Sequence, residues 1–231
     1  AFGRAVASLD GQYFCGPDVG TGEPELAWVR EGTGYVNSRD NDASEATARG
    51  VLAGIRAVRR SADIPVRPSV LVQGVGRVGA RLVAGLPDAD LILCDTDPAR
   101  LTDQPGAVVP ADHWFQTSAD LFAPCAIGPV VTADNVDTLP YRAICGSANT
   151  QLADTALADT LHRRGVVYAP DFIVNAGAVI EGVLVVLVGG EDVRQRVATA
   201  IDAIEIRVFD LLEDAARLDR SPLALALAAL S

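Results

Sequence analysis

Two residue types are missing from this chain altogether. None of its 231 residues is methionine, and all 19 basic residues are arginine, so there is no lysine. Without a methionine the sequence has no start residue, and we expect a chain that is processed, trimmed or a fragment of a longer one. Arginine is a poor substitute for a proton-exchanging lysine, because its pKa above about 12 keeps the guanidinium charged.

Cysteine and long apolar runs are also scarce. The four cysteines are scattered without a C-x-x-C pair, at Cys15, Cys94, Cys125 and Cys145. This spacing predicts buried free thiols in a reducing, cytoplasmic compartment rather than a disulfide or zinc framework. The apolar run Val183–Val188 is too short to span a membrane, and no signal peptide or transmembrane helix is visible. We therefore expect a cytoplasmic protein without a metal site or a membrane partner.

The charge balance is acidic, with a formal net charge of −11. It argues against nucleic acid as a partner, because binding that backbone needs a basic footprint. With 49% hydrophobic residues, the chain can bury a sizeable core as one large domain or two small ones.

The chain is organised around an apolar strand that ends in glycines. Residues 69–73 are typical of a buried parallel strand, and Gly74, Gly76 and Gly79 form a G-x-G-x-x-G pattern directly after it. Gly74 permits a tight turn, Gly76 lets a pyrophosphate approach the backbone, and Gly79 lets the next helix pack close to the strand. The phosphates would then lie on the helix N-terminus. The predicted contacts are Gly74, Val75, Gly76, Arg77, Val78 and Gly79.

An acidic residue follows the next apolar strand at a suitable distance. Asp95 ends the run 91–94 and lies 21 residues after Gly74, close to the spacing of about 20 at which a carboxylate meets the adenosine ribose. A carboxylate there repels a 2′-phosphate, so the sequence favours NAD over NADP, with Thr96 beside Asp95 in the same site. The alternative is a glycine-rich turn that binds nothing.

Strand and helix patterns alternate over the middle of the chain, which predicts an α/β fold with a doubly wound, Rossmann-like parallel sheet. We expect helices over residues 1–9, 23–28, 44–60 (with Ser44 as N-cap), 152–164, 191–218 and 223–230, a strand over 12–15 and a loop over 32–41. The predicted division is residues 1–43, an NAD-binding domain with its hinge helix (44–180), and C-terminal helices (181–231).

Six ordered motifs together resemble one family, the glutamate/leucine/phenylalanine/valine dehydrogenases, and especially the leucine, phenylalanine and valine members. They are GPDVGT at 16–21, TARGV at 47–51, VQGVG at 72–76, FAPCA at 122–126, GSAN at 146–149, and YAPD at 168–171 followed by VNAG at 174–177.

The resemblance implies an enzyme that interconverts an L-amino acid with its 2-oxo acid and ammonia and passes hydride to NAD. It also implies that residues 1–43 are a remnant of the substrate or catalytic domain and that the helices of 181–231 return to that domain. Asp18 would be the catalytic carboxylate that moves protons during imine formation and hydrolysis, a role for which carboxylates are suited. Thr47 would contact the nicotinamide carboxamide, and Asn175 would orient the substrate or the nicotinamide. The remaining cofactor contacts would be Asp95, Cys125, Ala126, Ala148 and Asn149. The implied partners are a small amino acid or 2-oxo acid and further copies of the chain in a homo-oligomer.

Each of these side chains also has a purely structural alternative. Asp18 is a common turn residue in its context, and Asn149 and Asn175 would serve as helix caps. Thr47 would be a hydroxyl at a helix start. Cys125 is a small buried side chain on this interpretation, since no partner base accompanies it.

The sequence departs from the family in its lysines. The family carries an N-terminal lobe with two of them, one that holds the substrate carboxylate and one that activates water. Neither has a counterpart here, so we expect residues 1–231 alone not to deaminate amino acids. The chain would be a fragment, one half of a split enzyme, or a non-catalytic NAD-binding or regulatory protein.

A second departure is Glu181, where the family usually has an uncharged residue. Glu181 follows the NAGA run at 175–178 on a helix that returns to the substrate lobe. We hypothesise that it faces the side-chain pocket and that the substrate is not a plain branched-chain amino acid. The alternative is a surface glutamate.

Overall fold

A six-stranded parallel sheet forms the centre of the computed structural model, which describes residues 1–18, 20–37 and 42–230. The strands are β1 (Ser69–Gln73), β2 (Asp90–Cys94), β3 (Ala107–Val108), β4 (Ala119–Pro124), β5 (Tyr141–Ile144) and β6 (Val167–Tyr168). Their order is β3-β2-β1-β4-β5-β6, which confirms the predicted α/β class. The direction of winding reverses between β1 and β4, and ligands of doubly wound sheets lie beyond the carboxyl ends of the strands at such a point.

Both faces of the sheet are covered. In β1, Val70 and Val72 point to one face and Leu71 to the other, and all three are fully buried. The second face carries an aromatic stack, in which Phe122 lies between Trp114 and Tyr141 with ring centroids 5.0 and 4.8 Å apart. Because β1 is buried on both sides at its centre, its sequence there is continuously apolar rather than alternating.

The first face packs against three helices, α3 (Ala43–Ser61), α4 (Arg77–Ala84) and α8 (Val193–Leu218). The predicted stripe of α3 is buried at Val51, Ile55 and Val58. Its N-cap is Asp42 rather than Ser44, because Oδ1 of Asp42 accepts hydrogen bonds from the backbone N–H groups of Ser44 (3.0 Å) and Glu45 (3.1 Å). A carboxylate that receives two helix-end donors satisfies groups that would otherwise lack partners.

The remaining helices are short. They are α5 (Leu157–Arg163), α6 (Asp171–Val174), α7 (Gly177–Gly182), a π-helix (Val183–Val188), α9 (Pro222–Ala228), and two 3₁₀ turns, Pro98–Leu101 and Trp114–Gln116. The helix predicted over 152–164 is shorter than expected, because Leu152 forms an isolated parallel bridge with Val131. The predicted helices 191–218 and 223–230 correspond to α8 and α9.

The N-terminal segment forms a small cluster of its own. Helices α1 (Phe2–Ala7) and α2 (Glu23–Arg30) enclose Val6, Cys15, Leu26 and Val36. The strand predicted over 12–15 is wrong, because only Cys15 pairs, in a single bridge with Val36. Residues 38–41 of the predicted loop lie outside the described residues. The proposed division into 1–43, 44–180 and 181–231 stays a prediction.

One stretch contradicts the expectation that no segment resembles a membrane span. Residues 171–188 are long and apolar enough by composition to cross a membrane, with a mean hydropathy of 2.0 and 22% of the stretch buried. The stretch is divided among α6, α7 and the π-helix, and it contains the charged residues Asp171 and Glu181. It packs against α3 and α8 and leaves Val179, Leu187 and Val188 exposed.

Candidate functional site

The glycine turn, residues 74–79, links β1 to α4 and has the geometry that its sequence predicts. Gly74 has φ +88°, a conformation that L side chains rarely adopt. A Cβ on Gly79 would lie 2.0 Å from the carbonyl oxygen of Gly74, so only glycine allows α4 to approach the turn this closely. Gly76 is different, because its Cβ would meet nothing nearer than 3.5 Å, the Nη1 atom of Arg100. Space on the outer side of Gly76 is therefore open.

A cleft of about 870 Å³, the main cleft, lies beside this turn. It brings together residues from distant parts of the sequence, including seven of the predicted site residues: Asp18, Thr47, Val75, Gly76, Arg77, Val78 and Cys125. The other lining residues are Pro17, Gly20, Thr21, Gly22, Ala43, Ser44, Arg100 and Ala178. Of these, Pro17, Gly20 and Thr21 lie within the family-like motifs, and Gly22 and Ala178 lie next to them. Arg100 is the charged residue of this lining that the sequence reasoning missed.

Thr47 is held at the cleft by the first turns of α3. Its Oγ1 donates a hydrogen bond to the carbonyl oxygen of Ala43 at 2.7 Å, so the hydroxyl keeps its lone pairs for a donor on a ligand. The N-terminus of α7 lies against this part of α3, where a Cβ on Gly177 would be 1.9 Å from the carbonyl oxygen of Ala46. Gly177 therefore lets Ala178 and Thr47 line the same cleft.

Asp18 lies on the N-terminal side of the main cleft. Its backbone is held in a two-way bridge, since Asp18 N–H donates to the Thr21 carbonyl and Thr21 N–H donates to the Asp18 carbonyl, both at 3.0 Å. The turn interpretation is thus correct for the backbone, while Asp18 also lines the cleft.

Asp95 lies directly behind the glycine turn. Its Oδ2 accepts a hydrogen bond from the backbone N–H of Val75 at 2.7 Å, and its Oδ1 accepts one from Asp97 N–H at 2.9 Å. The side chain is 4% exposed, whereas Thr96 is exposed. The carboxylate therefore fixes the end of β2 to the turn, and Asp95 lies behind the main cleft rather than among the residues that line it.

The loop after β4 closes the far side of the turn. Ala126 packs on Gly74, where a Cβ would be 2.8 Å from the Ala126 nitrogen. Burial raises the pKa of the Cys125 thiol, and hydrogen bonding to Ser147 opposes this only in part. A thiol with a raised pKa is a poor nucleophile, which favours the structural interpretation of Cys125. Ala148 is buried, and its N–H donates to the Pro124 carbonyl at 2.9 Å.

Asn149 and Asn175 lie together, but not in the main cleft. The Nδ2 atom of Asn175 donates to Oδ1 of Asn149 at 2.7 Å and to the Ser147 carbonyl at 3.4 Å. Both residues line a separate side cavity of about 350 Å³, with Gln151, Tyr168 and Asp171 among its walls. Asn175 also occupies the C-cap position of α6, where its backbone N–H donates to the Asp171 carbonyl while its side chain bonds to Asn149 and Ser147.

Glu181 is buried, so its interpretation as a surface residue is wrong. It is 7% exposed, and its Oε1 accepts from Nη1 of Arg194 at 3.1 Å. Oε2 is buried, and within the described part of the chain it has no hydrogen-bond partner. Burial raises the pKa of Glu181; Arg194 opposes that shift and Asp42 adds to it. Nothing in this arrangement places the carboxylate in the main cleft.

Comparison with known proteins gives one consistent result. The family model described as glutamate/leucine/phenylalanine/valine dehydrogenase matches residues 95–187. Phenylalanine dehydrogenase of Caldalkalibacillus thermarum is 35% identical over 201 residues, and leucine dehydrogenase of Bacillus subtilis is 35% identical over 195 residues. Each alignment covers 78% of this chain and 54% of the relative, so the chain spans about half the length of these relatives.

A solved structure agrees with this assignment. The L-tryptophan dehydrogenase from Nostoc punctiforme superposes with a TM-score of 0.82 at 27% identity, covering 99% of this chain and 70% of that one. The chain belongs to the glutamate/leucine/phenylalanine/valine dehydrogenase family.

Proposed function

We propose that this chain supplies the NAD-binding half of an L-amino-acid dehydrogenase, which deaminates an L-amino acid reversibly to the 2-oxo acid and ammonia. The observation that carries the proposal is the main cleft, where the glycine turn, Thr47 and Asp18 line one space. The named relatives act as dehydrogenases of phenylalanine and leucine.

The fit of a dinucleotide rests on Gly76. The protein's own packing would accept a Cβ at this position, because the nearest atom would be 3.5 Å away. Because Gly76 has no side chain, its backbone is open to a pyrophosphate. Gly76 is also the N-cap of α4, whose free N–H groups favour an anion. Asp95, at the end of β2, is assigned to accept hydrogen bonds from the adenosine ribose hydroxyls.

The nicotinamide end is assigned to Thr47. Since the Thr47 hydroxyl donates to Ala43, it acts as an acceptor toward the cleft, which suits the N–H of a carboxamide. Cys125 and Ala178 line the same region. Bound NAD supplies the hydride acceptor.

Asp18 is assigned the proton transfers at the substrate amine. Its carboxylate would take a proton from the α-ammonium group before oxidation and would return one to the departing ammonia. No arginine can share this work, because a guanidinium does not release its proton near neutral pH. We therefore propose that turnover also needs an amine base from outside residues 1–231.

Binding of NAD tests the first part of the proposal. Calorimetric titration of Gly76→Ala is expected to show NAD binding weakened at least about tenfold, because a methyl group occupies the approach of the pyrophosphate. Gly34→Ala is the matched control, since a Cβ there meets nothing within 4 Å and Gly34 does not line the cleft. Equal affinities in both variants, with both folded, would contradict the site.

Turnover tests the second part. Residues 1–231 are expected to bind NAD and to form no NADH from a panel of L-amino acids at alkaline pH. If residues 1–231 form NADH and the Asp18→Asn variant does not, no base from outside these residues is required. A second candidate function, a non-catalytic NAD-binding or regulatory subunit, is favoured by the lack of lysine; it predicts NAD binding without turnover in the natural full-length protein as well.

Three further assignments remain proposals. The protein is expected to be cytoplasmic and to form homo-oligomers. Asn149 and Asn175, which lie in the side cavity, are expected to approach the nicotinamide or the substrate only if the loops around the cleft move. Glu181 is proposed to influence the choice of amino acid, and identical substrate profiles of the natural full-length enzyme and its Glu181→Ala variant would contradict this.

A further inference from the structure

Arg100 places a guanidinium group directly above the glycine turn. It belongs to the 3₁₀ turn Pro98–Leu101, which follows β2 and folds back toward α4. Its Nη1 atom lies 3.5 Å from the position that a Cβ on Gly76 would take, and its side chain lines the main cleft. A positive group therefore faces Gly76, the glycine of the turn whose outer side is open to a ligand.

The contacts of Arg100 with protein carboxylates are long. Nη1 is 3.7 Å from Oδ2 of Asp95, Nε is 3.5 Å from Oδ2 of Asp97, and the side chain is 53% exposed. Ion pairs as exposed as this contribute little to stability. The structure does not depend on them to satisfy the carboxylates, since Asp95 already accepts from Val75 and Asp97 N–H, and Asp97 accepts from Ala99 N–H at 3.1 Å.

Resting on the proposed function, we propose that Arg100 binds the pyrophosphate of the dinucleotide. The guanidinium would leave Asp97 and donate to a pyrophosphate oxygen held over Gly76. Arginine suits this role because its planar N–H pairs match phosphate oxygens and remain charged at every physiological pH. The ADP half would then be held from two sides, with Asp95 at the ribose and Arg100 at the phosphates.

The charge of Asp95 favours the pyrophosphate over a 2′-phosphate as the ligand of Arg100. A 2′-phosphate would be attached to the ribose hydroxyl that Asp95 accepts from, and the carboxylate would repel it. The Nη1 atom lies 3.5 Å from the position that a Cβ on Gly76 would take and 3.7 Å from Oδ2 of Asp95, so by distance alone it reaches both places. The binding experiment distinguishes the pyrophosphate from the 2′-phosphate.

The experiment compares four ligands, adenosine, ADP, NAD and NADP, by calorimetry on Arg100→Gln. We expect ADP and NAD to bind about tenfold or more weakly, as for the loss of one charge-assisted hydrogen bond, and adenosine to bind within twofold of the wild type. Arg100→Lys is expected to restore part of the affinity. The dependence of NAD affinity on salt is expected to decrease in Arg100→Gln, because one charge contact is lost.

Arg142→Gln is the control for the loss of an exposed arginine, and it also removes a hydrogen bond from Nη1 to the Asp63 carbonyl oxygen at 2.8 Å. Arg142 is 57% exposed, with Nη1 3.7 Å from Asp63 Oδ2 and Nε 3.4 Å from Asp120 Oδ1, and it does not line the main cleft. The Arg142→Gln variant is expected to bind all four ligands with the affinity of the wild type.

Three results would overturn the proposal. The first is an unchanged affinity for NAD and ADP in Arg100→Gln. The second is an equal loss of affinity for adenosine, which would mean that Arg100 only positions Asp95. The third is a loss of affinity confined to NADP, which would mean that Arg100 contacts a 2′-phosphate. A wild type that binds neither ADP nor NAD would instead refute the proposed function itself.

Discussion

Asp42 and Arg81 join the two helices that border the main cleft. One carboxylate oxygen of Asp42 caps α3, and the other forms an ion pair with the guanidinium of Arg81 in α4. Burial opposes ionisation of Asp42, but the helix N–H groups and Arg81 outweigh it, so the pKa of Asp42 lies below its usual value. The pair holds Thr47, at the start of α3, beside the helix that follows the glycine turn.

Removal of this cap is expected to destabilise the protein. Asp42→Ala should lower the free energy of unfolding by about 1 kcal/mol at pH 7, the usual cost of a lost N-cap. Because the folded pKa is depressed, this stabilisation is present above the unfolded pKa of about 3.9 and is lost as pH falls through the folded pKa. Urea titrations at several pH values measure the effect. Asp42→Asn keeps the cap and should lose less stability than Asp42→Ala. An Asp42→Ala variant as stable as the wild type at pH 7 would contradict the account.

Alanine substitutions at Gly79 and at Gly76 are expected to have different effects on stability. Gly79→Ala drives a Cβ into the Gly74 carbonyl at 2.0 Å, and overpacking of this kind costs about 1–3 kcal/mol. Gly76→Ala meets only ordinary contacts and should keep the stability of the wild type. Thermal unfolding of the two variants separates a packing role from a ligand role. Equal melting temperatures would show that Gly79 is not required for the close approach of α4.

Asp95 is expected to set the preference for the unphosphorylated cofactor. The wild type should bind NAD at least about tenfold more tightly than NADP, since its carboxylate repels a second negative group in the same place. Asp95→Ser should reduce the preference for NAD over NADP. It should also weaken the binding of NAD itself, because the hydrogen bond to Val75 N–H is lost with the carboxylate. The ratio of the two dissociation constants is the readout. A ratio that is unchanged in Asp95→Ser would exclude Asp95 from the ribose site.

Glu181 is expected to make stability depend on pH. Its folded pKa is raised by burial, so the folded state favours the protonated form and is penalised as pH rises through that pKa. Glu181→Gln should therefore gain stability relative to the wild type between about pH 4, near the unfolded pKa, and neutral pH. Glu191→Gln, at an exposed site, corrects for the loss of a charge. A relative stability of Glu181→Gln that falls with rising pH would contradict the burial argument.

Much of the fold could be predicted because its signals are local. The run 69–73, the three glycines and Asp95 lie within one strand-turn-helix-strand unit, so their spacing in the sequence determines their spacing in the structure. The strand predicted over 12–15 failed because pairing depends on a partner segment, and only Val36 reaches Cys15. Ser44 and Asp42 are both good caps, and only the backbone geometry distinguishes them.

The site could be predicted only in part, for the same reason. Nothing in the sequence states that Asn149 and Asn175, 26 residues apart, face a cavity other than the main cleft. Arg100 was overlooked because its meaning depends on how Pro98–Leu101 folds back over Gly76. Glu181 was equally ambiguous, since a glutamate in an amphipathic helix is more often exposed than buried, and only the packing of Arg194 against it makes burial possible.

The central claim is that the main cleft holds a dinucleotide between the glycine turn and the residues Thr47 and Asp18. The most direct measurement is an amide chemical-shift titration of residues 1–231 with ADP and with NAD. The account predicts that both ligands shift the amides of Gly74, Gly76 and Gly79, and that only NAD also shifts Thr47, Asp18 and Cys125. Shifts confined to the side cavity around Gln151 and Asp171, or no shifts with NAD at the glycine turn, would contradict it.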